Sequence, residues 1–171
     1  MSAFIYVRRT FSSERENMEL LDLRFGEKTL KILKGMAGQV FEKYRCDPSI
    51  FHPVYLLPVG IYAGGKCYIM TQEITGRAAG GKKTDVLEWV FREAEEKEIH
   101  SSRPAVVQED HALQKEIKEV RIINEKKTLS RCGKVEYRVY LTKAVRFIFG
   151  KGYLQIRKPV YFSPFLNLED D

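Results

Sequence analysis

The chain has 171 residues, 44% hydrophobic and 30% charged, with 29 Lys and Arg against 23 Asp and Glu, a net +6. That length suits a single domain burying roughly two-thirds of its unfolded surface, so neither disulfide nor metal is needed for stability. Three scattered cysteines, no apolar run near the ~20 residues of a membrane span and no signal-peptide charge order together point to a cytoplasmic chain without membrane contact.

Residues 4–11 read as a strand, and 12–17 as a polar turn. The stretch 18–25 suits a strand or a short helix, because eight residues do not separate the two periods. Residues 28–45 predict a helix, with Leu30, Leu33, Ala37, Val40, Phe41 and Tyr44 recurring at helical steps. Gly35 and Gly38 weaken it by up to about 1 kcal/mol each, and Asp47-Pro48 ends it. Residues 54–62 and 66–74 predict two strands joined by a hairpin at Ala63-Gly64-Gly65. A loop is expected over 75–83. A second helix is expected from Asp85, where Glu88 three positions on resembles a capping box. A third is expected over 109–118.

From Val120 the apolar period moves towards two. Strands are expected at 121–125, 135–142, 145–149 and 153–157, with turns at Cys132-Gly133 and Gly150-Lys151-Gly152. On the strand at 135–142, Val135, Tyr137, Val139 and Leu141 share a core face. Glu136, Arg138, Tyr140 and Thr142 share a wet one. The fold class expected is α+β: a single domain over 1–171, mainly antiparallel sheet, with two or three covering helices and a C-terminal β-meander. Residues 167–171 make a short acidic tail.

Charge is unevenly spread. Residues 121–158 carry eleven Lys or Arg against Glu125 and Glu136, interleaved with Tyr137, Tyr140, Phe147, Phe149 and Tyr153. Cations attract phosphates, and exposed rings offer bases a stacking surface, so the expected partner is nucleic acid. Arg138, Arg146, Lys151 and Arg157 would meet phosphates, and Tyr140 and Tyr153 would stack. The segment 151–156 faintly resembles the longer strand signature of RNA-recognition-motif domains, from which it departs at Leu154 and Gln155, where that signature has a small residue and an aromatic. No family is recognised.

The stretch Gly76-Arg77-Ala78-Ala79-Gly80-Gly81-Lys82-Lys83-Thr84 has the Gly-x-x-x-x-Gly-Lys spacing of a phosphate-binding loop. Lys83 occupies the place of the metal-binding hydroxyl, and no later apolar strand ends in a suitable aspartate. A cationic loop touching phosphate through Arg77, Lys82 and Lys83 is the expectation, and a nucleotide- or phosphate-binding enzyme at 76–84 an alternative. The acidic run at 85–98 supports another alternative, a protein-interaction module that offers an acidic helix beside the basic patch and takes an acidic protein surface as partner. His52, His100, His111 and the cysteines lie at no ligand spacing, so no catalytic residue, cofactor or metal is assigned.

Overall fold

The computed structural model describes residues 20–46, 59–79, 82–100, 109–131 and 135–157. The expected strand at 4–11, the turn at Cys132-Gly133 and the acidic tail lie outside these residues. Among the described residues nine strands and two short helices follow in the order β1 (Leu20–Leu23), α1 (Glu27–Gly35), β2 (Val40–Cys46), β3 (Val59–Ala63), β4 (Lys66–Ala79) and β5 (Lys82–Glu93). Then come α2 (Glu96–His100), β6 (Glu109–Glu116), β7 (Glu119–Arg131), β8 (Val135–Ile148) and β9 (Tyr153–Arg157). The described protein is therefore mostly β, and the expectation of an α+β domain with two or three covering helices is corrected to two sheets with small helical additions.

The corrections have local causes. The helix expected over 28–45 stops at Gly35, and Gly38 takes φ +87°, a left-handed conformation that suits glycine and ends helices. Gly38 N–H then bonds Ile117 O at 2.7 Å, and the β-branched and aromatic residues Val40, Phe41 and Tyr44 continue as β2. The helix expected from Asp85 is instead β5. There Leu87, Trp89 and Phe91 alternate with Val86, Glu88, Val90 and Arg92, and the valines make the second face partly apolar too, which blurs the alternation in a reading by polarity. The helix expected over 109–118 is β6, paired to β2, with a bulge at which Gln114 adopts φ +50°. The hairpin at Ala63–Lys66 forms as expected: Gly64 and Gly65 take φ +59° and +75°, the signs a type I′ turn needs.

One sheet has the order β5-β4-β3-β2-β6 and is antiparallel throughout. The other is built on β8. Strand β7 takes one edge over the whole length, while β1, in parallel, and β9, antiparallel, share the other edge at residues 138–141 and 144–148. The meander β7-β8-β9 is as expected, except that the two strands foreseen at 135–142 and 145–149 are one.

Both sheets bury side chains in a common cluster. Phe41 meets Phe147 and Phe149 edge-on, with centroids 5.1 and 6.0 Å apart, and Leu33 and Met36 of the α1 region fill space beside them. Each such side chain contributes about 1.5–3 kcal/mol by leaving water. On the far side of the five-stranded sheet α2 lies close over β3: a Cβ at Gly60 would sit 2.5 Å from Ile99 Cγ2.

Candidate nucleic-acid interface

The candidate residues of the C-terminal sheet are distributed by one irregularity. Asn124 pairs with Thr142 and Ile123 with Ala144, so β8 spends one more residue, Lys143, than β7 does. Side chains alternate along an unbroken strand, and a bulge shifts that alternation on one side. Val120 and Ile122 of β7, with Val145 and Phe147 of β8, face the common core. Continuing along β7, Asn124 and Lys126 keep to that same side, and so do their partners Thr142 and Tyr140. Arg146 lies between Val145 and Phe147 and points the other way. Tyr140 with Arg138 and Arg146 with its neighbours therefore occupy opposite faces of the sheet.

On the face turned from the core, a cross-strand row runs Arg121, Arg146, Gln155. Arg146 donates from Nε and Nη2 to Gln155 Oε1 at 2.9 and 2.6 Å, which flattens its guanidinium over Tyr153, 4.4 Å from the ring centroid. Such a contact is worth about 0.5–1 kcal/mol at an exposed site. Tyr153 remains 60% exposed. Arg157 pairs opposite Ala144 on the same face, and Lys151 stands in the turn closed by Phe149 N–H to Gly152 O, 3.0 Å, where Gly152 has φ +77°. Arg121 is held by Glu119 at 3.1 Å. Among the described residues no carboxylate forms an ion pair with Arg138, Arg146, Lys151 or Arg157. Lys143 and Lys127 differ: both reach Glu125, at 3.5 and 3.0 Å. Burial pushes the Glu125 carboxyl up, but the two ammonium groups outweigh it and hold it below its ordinary value.

On the core-side face Tyr140 is sandwiched between Arg24, 4.1 Å from its centroid, and Lys126, at 5.2 Å. Arg24 is itself clamped by Asp22 through bonds of 2.8 and 3.0 Å. Beside it a cavity of about 450 Å³ opens where β1 leaves β8, lined by Asp22, Arg24, Phe25, Leu30, Asn124 and Thr142 among others. Thr142, only 2% exposed, accepts from Phe25 N–H at 2.9 Å and donates to Asn124 Oδ1 at 3.0 Å. The wet face that alternation predicts for Thr142 is not observed; it is buried because Phe25 closes over the gap between β1 and β9. Gln155, Arg24 and Asp22 were missed by sequence reasoning. Only Gln155 left a trace, through its alternation with Tyr153 and Arg157.

The loop expected over 75–83 is instead most of a hairpin. Gly76 pairs with Asp85, Arg77 with Thr84, Ala78 with Lys83 and Ala79 with Lys82. The segment thus lies in a β-ladder with no helix after it, unlike a strand–loop–helix phosphate cradle. The acidic run is likewise divided between β5 and α2 and partly neutralised within the fold. Arg92 binds Glu73 and Glu98, each at 3.0 Å, Lys66 reaches Glu93 at 3.7 Å, and Glu88 is buried and accepts from the Thr75 hydroxyl.

Among the described residues, His111 and His100 are engaged within the fold. His111 stacks on Tyr44 with centroids 4.8 Å apart, and His100 lies 3.5 Å from both Glu96 and the Tyr62 hydroxyl. Burial pushes the Cys67 thiol up, away from the thiolate that nucleophilic chemistry requires. Among the described residues no group of three or more His, Cys, Asp or Glu is arranged to hold a metal ion, and no helix is long and apolar enough to cross a membrane. His52 and Cys132 lie outside the described residues. Compared with known proteins, the chain matches no family model, no curated protein and no solved structure.

Proposed function

We propose that this protein binds nucleic acid without catalysis, through the outward face of the β7-β8-β9 meander. The observation that carries the reading is the Arg146–Tyr153 stack, an exposed ring under a guanidinium, flanked by Lys151 and Arg157. Phosphates would be neutralised by Arg146, Lys151 and Arg157, and a base would stack at Tyr153, a contact worth about 1–3 kcal/mol. Arg121 joins when it exchanges Glu119 for phosphate. Arg138 and Tyr140, on the other face, would serve a second strand or none. Arg77, Lys82 and Lys83 add charge from the β4-β5 hairpin.

The test is a salt titration of oligonucleotide binding, followed by fluorescence anisotropy. Affinity should fall steeply, with a slope of about 0.7 per phosphate contacted on a single strand. Tyr153→Ala should weaken binding about tenfold or more, and Arg146→Gln should also lower the slope. No binding at low salt, or a response independent of salt, overturns the reading. Recovery of a protein partner after nuclease treatment would favour the interaction-module alternative instead.

A further inference from the structure

Arginine side chains in this fold are held in two different ways. Arg24 bonds Asp22, Arg45 bonds Asp110, Arg92 bonds Glu73 and Glu98, and Arg121 bonds Glu119, so each meets a carboxylate. Arg146 instead donates from Nε and Nη2 to the amide oxygen of Gln155, at 2.9 and 2.6 Å. A guanidinium has donors only, so the Gln155 amide must turn its oxygen, not its nitrogen, towards Arg146. The same guanidinium lies over Tyr153, 4.4 Å from the ring centroid. A carboxylate fixes a guanidinium and offsets its charge, whereas a neutral amide fixes it and leaves the charge whole.

These two partners set the direction in which Arg146 can still donate. Gln155 closes the side of the planar fork that carries Nε and Nη2. Among the described residues nothing bonds Nη1, so Nη1 and the second N–H of Nη2 remain as an open pair of parallel donors. Such a pair fits two adjacent acceptors. Phosphate offers them, but Lys151 and Arg157 already bring positive charge to this face without a fixed orientation. Among base edges, guanine presents O6 and N7 side by side, and cytosine has O2 and N3 on a smaller ring. Adenine, thymine and uracil have no two adjacent acceptors. The major groove of duplex DNA admits a helix or a two-stranded ribbon, so the broader β7-β8-β9 face suits an unpaired base.

We infer that Arg146, besides adding charge, reads the O6 and N7 edge of an unpaired guanine, with Gln155 as its positioning residue. The inference rests on the nucleic-acid reading and names the base that this face selects. Fluorescence anisotropy would compare short oligothymidines whose central base is guanine, 7-deazaguanine, adenine, cytosine or thymine. The full chain should bind the guanine strand at least about fivefold tighter than the adenine or all-thymine strand. 7-Deazaguanine, in which carbon replaces N7, should remove most of that preference. Arg146→Lys keeps the charge but loses the fork, so it should bind the strands alike with an unchanged salt slope. Gln155→Leu should also lose the preference. Gln155→Glu, which restores an acceptor for Arg146, should recover it at lower overall affinity. All three variants should melt near the parent's temperature.

A parent that binds every strand equally, or favours another base, overturns guanine reading and leaves the nucleic-acid reading in place. So does a preference that survives 7-deazaguanine or Arg146→Lys. A preference untouched by Gln155→Leu overturns the positioning role. If the parent chain binds none of the strands, both readings fall.

Discussion

The two halves of β8 make an instructive pair. Before Lys143 the strand lies between β7 and β1, and its aromatic residue, Tyr140, is held between Arg24 and Lys126 on the core-side face. After Lys143 it lies between β7 and β9, and its cation, Arg146, stacks on Tyr153 on the outward face. Both halves use the same chemistry, a guanidinium or ammonium against a phenol ring. One additional residue determines that the first pair borders a cavity and the second is offered to solvent. The apolar positions follow suit, because Val145 and Phe147 reach the core only with the bulge in place.

Deleting Lys143 should break this comparison most severely. Without the extra residue, either half must turn its side chains over, exposing Val145 and Phe147 or inverting Tyr140 and Thr142. The expected result is loss of cooperative unfolding in a thermal melt; a variant as stable as the parent would show that the bulge is dispensable. Next in size is the contrast between neighbours on opposite faces. Phe147→Ala should destabilise by about 3–5 kcal/mol in urea unfolding, and Arg146→Ala by less than about 1 kcal/mol. Comparable losses from both would contradict the assignment of faces.

The gap between β1 and β9 should respond less strongly. Thr142→Val leaves Phe25 N–H and Asn124 without their partner, which should cost about 1–3 kcal/mol by the same assay, whereas Asn124→Ala should cost less. The smallest effect concerns acid. The Glu125 carboxyl lies below its ordinary value of 4.5, so its contribution is complete above that pH and is lost as pH falls through the lower folded value. Glu125→Gln should therefore cost under about 1 kcal/mol at neutral pH and converge with the parent at low pH, where the parent's carboxyl is protonated, so that the acid side of its stability profile is flatter. A steeper acid loss in the variant would show that Lys127 and Lys143 are not its effective partners.

Much of this was legible in the residues. The Gly64-Gly65 turn, the period-two pattern after Val120, the turn at Gly150–Gly152 and the cation-rich composition of 121–158 are local properties, and each led to the observed meander or hairpin. Where local signals conflicted, partners decided. Val86, Leu87, Val90 and Ala94 recur at helical steps while Leu87, Trp89 and Phe91 recur at strand steps, and only the ladder with β4 selects the strand. His111 and Leu113 became strand residues because β2 lay open to pair with β6.

Sequence by itself therefore determined the turns, the β character of the C-terminal half and the sign of its charge, since these depend on neighbours in the chain. Which side each charged or aromatic residue took was decided only in three dimensions. That choice depends on the pairing of Ile123 with Ala144 rather than Lys143, a register set by burial of Val145 and Phe147 against Phe41 on the opposing sheet.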